Sequence, residues 1–67
     1  MISITVNGKR RDLESETDLT GFLSALDVDT RGVAVAYNGE VVARCRHAEV
    51  RLRDGDVVEI VRMVGGG

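Results

Sequence analysis

Three tight-turn dipeptides restrict the fold of this chain more than any other feature of its sequence. They are Asn7-Gly8, Asn38-Gly39 and Asp54-Gly55, and each lies next to at least one apolar stretch. Asn and Gly tolerate the positive φ angles of a type I′ hairpin, so the chain should reverse at the first two positions. Asp54-Gly55 is a turn signal of the same kind. The chain is therefore expected to form several short strands.

The residues beside these turns predict five strands. Ile2 to Val6 alternates apolar and polar side chains, which is typical of a half-buried strand. Lys9 to Leu13 carries several charges, which predict an edge strand because charges discourage further pairing. Val33 to Tyr37 is apolar throughout and favours a central strand covered on both faces. Val41-Val42 and Val57 to Val64 supply the remaining two strands.

One helix is predicted between the second and third strands. Ser15 and Asp18 match a capping box, and Thr17 is an equally good N-cap. The apolar residues that follow have helical spacing and form one stripe: Leu19, Phe22, Leu23 and Leu26. Gly21 within the stripe costs about 1 kcal/mol relative to alanine, so the helix depends on packing. Gly32 should end the helical region.

The order of elements predicts an α+β chain with the ubiquitin-like β-grasp fold. A mixed sheet of four to five strands would wrap one main helix and bury one of its faces against it. Residues 1–64 are assigned to this domain and residues 65–67 to a flexible glycine tail. The predicted core contains Ile2, Ile4, Val6, Leu19, Phe22, Leu23, Leu26, Val33, Val35, Leu52, Val58 and Ile60.

The composition argues against several classes of function. With 67 residues the chain has one core and little area for a deep catalytic cleft. The net charge is -2 and basic residues are interleaved with acidic ones, so nucleic acid is not expected as a partner. Apolar runs are far shorter than the ~20 residues that cross a bilayer, so no membrane is expected. A single cysteine provides neither a disulfide nor a metal site, and the lack of an export segment favours the cytoplasm.

The chain ends in three glycines, which the fold itself does not require. Gly65, Gly66 and Gly67 lack Cβ atoms, so this tail is narrow enough to enter a slot in another protein. Three extended residues add roughly 10 Å of reach. The alternative interpretation is a frayed end without function. A β-grasp pattern directly before the glycines favours a tail that presents its terminal carboxylate.

The terminal carboxylate needs activation before it can react. Its usual pKa is about 3.3 to 3.7, so it is an anion at neutral pH and resists nucleophiles. Condensation with ATP to an acyl-adenylate provides a leaving group, which a sulfur nucleophile can replace to leave a thiocarboxylate. Partner enzymes would supply the positioning and the charge stabilisation. The chain itself is expected to be a carrier and not an enzyme.

Several segments of the chain share the pattern of one known family. They are Ile4 to Gly8, Gly32 to Val42, Leu52 to Val61 and the diglycine end. Over nearly its whole length the chain resembles the sulfur-carrier proteins of thiamine biosynthesis, the ThiS family. The resemblance implies that a ubiquitin-activating-type adenylyltransferase uses ATP to adenylate Gly67. It also implies a sulfur-donating enzyme, thiazole synthase as the acceptor of the sulfur, and no permanently bound cofactor.

The sequence departs from the family pattern at two places. The family usually ends in two glycines, whereas Gly65 is a third, and the segment from Arg44 to His47 is unlike the family's loop. By resemblance the chemistry belongs to Gly67 and the passage of the tail to Gly66. Gly65 then acts as a spacer.

The end of the last strand is a candidate docking surface. Val61 and Met63 should point away from the side of Val58 and Ile60, so an uncovered sheet face would present them beside the tail, next to Val64. The rival interpretation is that a loop covers them. Solvent exposure distinguishes the two.

Cys45 and His47 lie close in sequence but share no third ligand or orienting group. We expect Cys45 to be a small semi-buried residue and His47 to be a solvated one. Both belong to the segment from Arg44 to Glu49, which lacks periodicity and is predicted to be an irregular connection.

Three alternatives to the thiamine carrier stay open. The small subunit of molybdopterin synthase would use the same fold and terminal chemistry with a different acceptor. A ubiquitin-like modifier would form isopeptide bonds, although a single lysine, Lys9, makes self-chains hard to build. A passive interaction module would have inert glycines.

Overall fold

The computed structural model describes residues 1–62, and its elements follow the predicted order. The strands are β1 (Ile2–Val6), β2 (Lys9–Leu13), β3 (Val33–Tyr37), β4 (Glu40–Val42) and β5 (Val57–Arg62). The helix α1 spans Leu19–Ala25, and Thr30–Gly32 and Arg44–Glu49 are 3₁₀ helices. No helix in this part of the chain is long and apolar enough to cross a membrane. The predicted domain boundary after residue 64 lies outside the described residues.

The strands form one mixed sheet in the order β2-β1-β5-β3-β4. Strands β1 and β5 are parallel, whereas the β1–β2, β3–β4 and β3–β5 pairs are antiparallel. This five-stranded mixed sheet with one α-helix confirms the predicted β-grasp class. The predicted edge position of β2 is also confirmed.

Strand β5, and not β3, occupies the centre of the sheet. It pairs with both hairpins, with β1 on one side and β3 on the other. The predicted cover on both faces of β3 is wrong, because Ala34 and Ala36 on its second face are only half-buried. Apolar side chains at every position therefore did not distinguish an interior strand from a fully covered one.

The first two turn dipeptides form the predicted tight reversals. The φ angles are 50° and 81° at Asn7 and Gly8, and 49° and 90° at Asn38 and Gly39. Positive φ at both central residues is the requirement of a type I′ turn. Gly55 in the third turn also has a positive φ of 90°. The turn residues therefore fix the register of both hairpins.

The helix begins at Leu19, with Asp18 as its N-cap. The Asp18 carboxylate accepts a hydrogen bond from the Gly21 N–H at 2.7 Å. The predicted caps, Ser15 and Thr17, are wrong because the helix begins only at Leu19, directly after an extended Asp18. Asp18 forms an isolated antiparallel bridge with Arg51, and the Thr17 carbonyl accepts a bond from the Leu52 N–H at 2.9 Å. This tertiary pairing delays the start of the helix.

The helix ends at Ala25, well before the predicted stop at Gly32. Asp27 adopts a left-handed φ of 59°, and the Val28 N–H bonds back to the Leu23 carbonyl at 3.1 Å. These are features of a Schellman C-cap, in which glycine is the usual left-handed residue. Because aspartate and not glycine occupies this position, the sequence did not predict the end of the helix here. Gly32 belongs to a 3₁₀ helix instead.

The predicted core is confirmed at its centre and extended at its margin. The buried apolar residues are all predicted ones: Ile4, Val6, Leu19, Phe22, Leu23, Val35, Leu52 and Val58. The other predicted core residues are partly buried against them: Ile2, Leu26, Val33 and Ile60. Four further residues join this margin: Leu13, Val28, Tyr37 and Val50. The core lies between α1 and one face of the sheet.

Candidate functional site

The predicted reactive end of the chain follows strand β5 in the sequence. Five predicted site residues lie outside the described residues: Met63, Val64, Gly65, Gly66 and Gly67. Strand β5 pairs with β3 up to the Val33–Arg62 pair. The central strand of the sheet therefore carries the chain to the residue directly before Met63.

The side-chain amide of Asn7 holds β5 close to its end. The ladder between β1 and β5 ends at the Val6–Val58 pair, and the Asn7 N–H donates to the Val58 carbonyl at 3.0 Å. Asn7 Oδ1 then accepts from the Ile60 N–H at 2.7 Å, and Nδ2 donates to the Ile60 carbonyl at 3.1 Å. One side-chain amide thus pairs with both polar groups of a backbone residue, as a further strand residue would.

Asn38 holds the opposite end of β5. Its N–H donates to the Val57 carbonyl at 2.8 Å, and its Oδ1 accepts from the Val57 N–H at 2.8 Å. Sequence reasoning predicted both turns but missed these contacts. Asparagine at the first position of both turns was the available signal, because its amide can bond to a neighbouring backbone whereas glycine cannot.

The sheet face opposite the helix carries exposed valines beside the end of β5. Val61 is 58% exposed and pairs with Ala34, while Val41 is 76% exposed and pairs with Ala36. Side chains of paired residues share a face, so these four residues lie together with Val57. We call these five residues the outer patch.

The exposure of Val61 decides between the two interpretations of this face. A covering loop is wrong for Val61, which is open to solvent. Val41 and Val57 are members of the patch that sequence reasoning missed. Their places follow from the register of β4 and β5 on β3, which a single sequence does not specify.

The same sheet face has a polar half on β1 and β2. Ser3 pairs with Asp12, and Thr5 pairs with Arg10. Arg10 Nε donates to Ser3 Oγ at 2.8 Å and to Asp12 Oδ1 at 3.2 Å. The half formed by β3, β4 and β5, from which the predicted tail departs, is thus apolar apart from Glu59, which is exposed and pairs with Ala36 between Val57 and Val61.

A cleft of about 630 Å³ opens on the other face of the sheet at the end of β5. Its apolar lining comes from Leu26, Val28, Val33 and Ile60, and Asn7 and Arg62 line it as well. Asp29 also lines the cleft, and hydrogen bonds from the Arg31 side chain and N–H lower the pKa of its carboxyl. Both faces of the sheet are therefore accessible where β5 ends.

Cys45 and His47 differ from their predicted environments. Arg44–Glu49 is a 3₁₀ helix and not an irregular connection. His47 is only 4% exposed, with Nε2 at 3.3 Å from the Val42 carbonyl, whereas Cys45 is exposed. Three residues complete a 3₁₀ turn, so side chains two apart point in different directions. Within residues 1–62 no three His, Cys, Asp or Glu side chains form a group that could hold a metal ion.

Comparison with known proteins gives consistent matches over nearly the whole chain. The sequence model of the ThiS family matches residues 4–67. The sulfur carrier protein ThiS of Thermus thermophilus is 41% identical over 64 residues, which are 96% of this chain and 98% of that protein. The crystal structure of the thiamine biosynthesis protein ThiS from Geobacter metallireducens matches with a TM-score of 0.89 at 38% identity, covering 98% of this chain and 100% of that chain.

A much longer protein contains a region of the same kind. The thiazole synthase of Paramagnetospirillum magneticum is 38% identical over 66 residues, which are 98% of this chain. The chain spans only 20% of that protein's length. The likeness therefore concerns one part of the longer protein.

Proposed function

The chain belongs to the ThiS family, and we therefore propose that it is a sulfur carrier of thiamine biosynthesis whose reactive group is the carboxylate of Gly67. The observation that carries this proposal is the triple-glycine end, which follows the central strand of a β-grasp sheet after two further residues. A rigid strand followed by residues without side chains is suited to deliver a terminal group into another protein.

The chemistry begins with the Gly67 carboxylate as nucleophile. It attacks the α-phosphorus of ATP in a ubiquitin-activating-type adenylyltransferase, and pyrophosphate leaves. Sulfur at the sulfide level, delivered as hydrosulfide by a sulfur-donating enzyme, then attacks the acyl carbon; AMP leaves, one proton is released and the terminal thiocarboxylate remains. ATP belongs to the activating partner, and the carrier holds no permanent cofactor. The catalytic groups are those of the partner enzymes, and the carrier is not an enzyme.

The remaining predicted site residues have roles in recognition. Gly66 passes through the narrow entrance of the partner's active site, and Gly65 lengthens the tail. Val61, Met63 and Val64 contact the partner. The exposure of Val61 on the outer patch supports this assignment, because apolar surface beside the tail is removed from water when the tail is inserted.

Thiazole synthase is the proposed acceptor of the sulfur. The thiazole synthase of Paramagnetospirillum magneticum, with a similar region in one longer chain, supports this assignment. Joining a carrier to its acceptor raises the effective concentration of one for the other, which is useful only if the two interact. The cytoplasmic location expected from the sequence belongs to the same proposal.

Intact-mass measurement tests the proposal directly. The full chain is incubated with the adenylyltransferase, ATP and a sulfur source, and we expect one oxygen atom to be replaced by sulfur. Removal of Gly66 and Gly67 should abolish the change, and transfer should then be followed with thiazole synthase and with the large subunit of molybdopterin synthase. Transfer only to the latter would favour the molybdopterin alternative. Attachment to larger proteins would indicate a modifier, and an unchanged mass would indicate an inert tail.

A further inference from the structure

We propose that Asn7 is a positioning residue of the carrier, which holds the end of β5 in the place from which the tail reaches the partner's active site. This inference rests on the proposed function and adds a residue that lies far from the tail in sequence. The Asn7 side chain makes two hydrogen bonds with the backbone of Ile60, at 2.7 Å and 3.1 Å.

The backbone of β5 alternates between its two neighbours. Asp56 and Val58 accept from Thr5 and Asn7 of the β1 side, whereas Val57 exchanges bonds with Asn38 of the β3 side. By this alternation the N–H and C=O of Ile60 face the β1 side.

Strand β1 ends before it can reach Ile60. The last pair of the β1–β5 ladder contains Val58, so the Asn7 side chain is the group that satisfies Ile60 there. Ile60 is half-buried, and an unpaired backbone group at such a place is unfavourable. Asn7 therefore extends the pairing of β5 on this side by two residues, from Val58 to Ile60.

This extension affects the tail because beyond Ile60 the sheet holds β5 from the β3 side, through Ala34 and Val33. A strand end held on one side opens more readily than one held on both. Five residues follow Arg62, and nine follow Val58. Loosening of β5 back to Val58 would lengthen the segment between the sheet and Gly67 from five to nine residues, which lowers the effective concentration of its end at the partner by about two- to threefold. A less defined direction of the strand end adds to this loss.

A simpler explanation is that Asn7 is present only for its turn. Asparagine tolerates positive φ, and the turn alone would account for its presence. Asn38 separates the two explanations because it occupies the same turn position, with φ of 49° against 50°, and also bonds to β5 through Oδ1. Its contact is at Val57, at the end of β5 away from the tail.

The experiment compares Asn7→Gly with Asn38→Gly in the full chain. Glycine keeps the positive φ of both turns and removes only the side-chain amides. Amide hydrogen exchange is measured at Ile60 and Arg62, and KM and kcat of the adenylyltransferase are measured with each variant as the substrate. Thermal unfolding gives the stability of both variants.

We expect Asn7→Gly to speed amide exchange at Ile60 by about tenfold, the loss expected for an ordinary hydrogen bond, and to lower kcat/KM by about three- to tenfold. Asn38→Gly should leave exchange at Ile60 and kcat/KM unchanged, even if it lowers the melting temperature as much. Equal kcat/KM for the two variants, or losses that follow melting temperature alone, would overturn the inference. A wild-type chain that is not adenylated would instead refute the proposed function, so the two failures are distinguishable.

Discussion

The Tyr37 hydroxyl donates a hydrogen bond to Asp56 Oδ2 at 2.6 Å and joins the β3–β4 hairpin to the loop that leads into β5. The Asp56 carboxylate also accepts from the Arg53 N–H at 2.8 Å and from Asn38 Nδ2 at 3.3 Å. Burial opposes ionisation of Asp56, but these hydrogen bonds outweigh burial and the pKa of Asp56 is lowered from 3.8. The hydrogen bond to Asp56, together with burial, raises the pKa of Tyr37 from 10.0.

This contact predicts how stability depends on pH. The pKa of Asp56 is lower in the folded protein than in the unfolded chain. Its contribution to the free energy of unfolding is therefore complete above pH 3.8 and is lost as the pH falls through the pKa of the folded state. The pKa of Tyr37 is higher in the folded protein than in the unfolded chain. Its contribution to the free energy of unfolding is therefore complete below pH 10.0 and is lost as the pH rises through the pKa of the folded state. Tyr37→Phe should lower the free energy of unfolding by about 1 kcal/mol at pH 7 and weaken both dependences.

Urea unfolding across the acid, neutral and alkaline ranges measures these effects. Asp29→Asn provides a control, since Asp29 also has a lowered pKa but makes no contact with Tyr37. It should change the acid range only. A Tyr37→Phe variant with the same pH dependence as the wild type would contradict the assignment.

The left-handed conformation of Asp27 predicts a stabilising substitution. Its φ of 59° is disfavoured for a residue with a Cβ atom, whereas glycine adopts it freely. Asp27→Gly should raise the free energy of unfolding by about 0.5 to 1 kcal/mol, after allowance for the greater freedom of glycine in the unfolded chain. Asp27→Ala, which keeps the Cβ atom and loses the carboxylate, is the control and should not stabilise. Urea unfolding distinguishes them, and a less stable glycine variant would show that the Asp27 side chain itself supports the cap.

Replacement of Gly21 with alanine should change stability in the direction opposite to the one that helix propensity suggests. A Cβ atom there would lie 2.7 Å from Thr17 Oγ1 and 3.1 Å from Asp18 Oδ1, the atom that caps the helix. The propensity gain of about 1 kcal/mol is therefore opposed by a displaced cap, which costs a similar or larger amount. Gly21→Ala should therefore lower the free energy of unfolding, by up to about 1 kcal/mol. Ser24→Ala, at an exposed position of the same helix, should raise it by a few tenths of a kcal/mol; stabilisation by both substitutions would refute the steric argument.

Local patterns predicted the elements, and tertiary contacts explain where the predictions failed. The asparagine-glycine turns and the alternation of Ile2 to Val6 depend on neighbours in sequence, and both agree with the structure. The start of the helix depends on the distant pairing of Asp18 with Arg51, which local pattern does not contain. Burial of His47 likewise depends on the Val42 carbonyl and the 3₁₀ geometry of its own segment.

In the candidate site, too, local patterns predicted some features, whereas others depend on tertiary contacts. The exposure of Val61 followed from alternation along one strand. The role of Asn7 in holding Ile60 did not, because these residues are 53 positions apart and meet only when β1 and β5 are parallel neighbours. The glycine end was visible from sequence alone, and its assignment to thiamine biosynthesis came from resemblance and not from physical reasoning.

The outer patch predicts a separation between stability and partner binding. Val61 and Val41 are 58% and 76% exposed, so replacing either with serine should change the free energy of unfolding by no more than about 0.5 kcal/mol. If the adenylyltransferase covers the patch, loss of one buried valine side chain should weaken binding by roughly tenfold. Val61 is expected to have the larger effect, because it lies one residue from the end of the described strand.

Arg10→Ala is the matched control for this prediction. Arg10 lies on the polar half of the same sheet face, so its replacement tests whether any change on this face disturbs binding. Calorimetric titration of the adenylyltransferase gives the dissociation constant for each variant, and urea unfolding gives the stability. Equal binding by Val61→Ser and Arg10→Ala would exclude the outer patch as the docking surface, since a partner that covers Val61 must distinguish an apolar side chain from a hydroxyl at the point where the tail leaves the sheet.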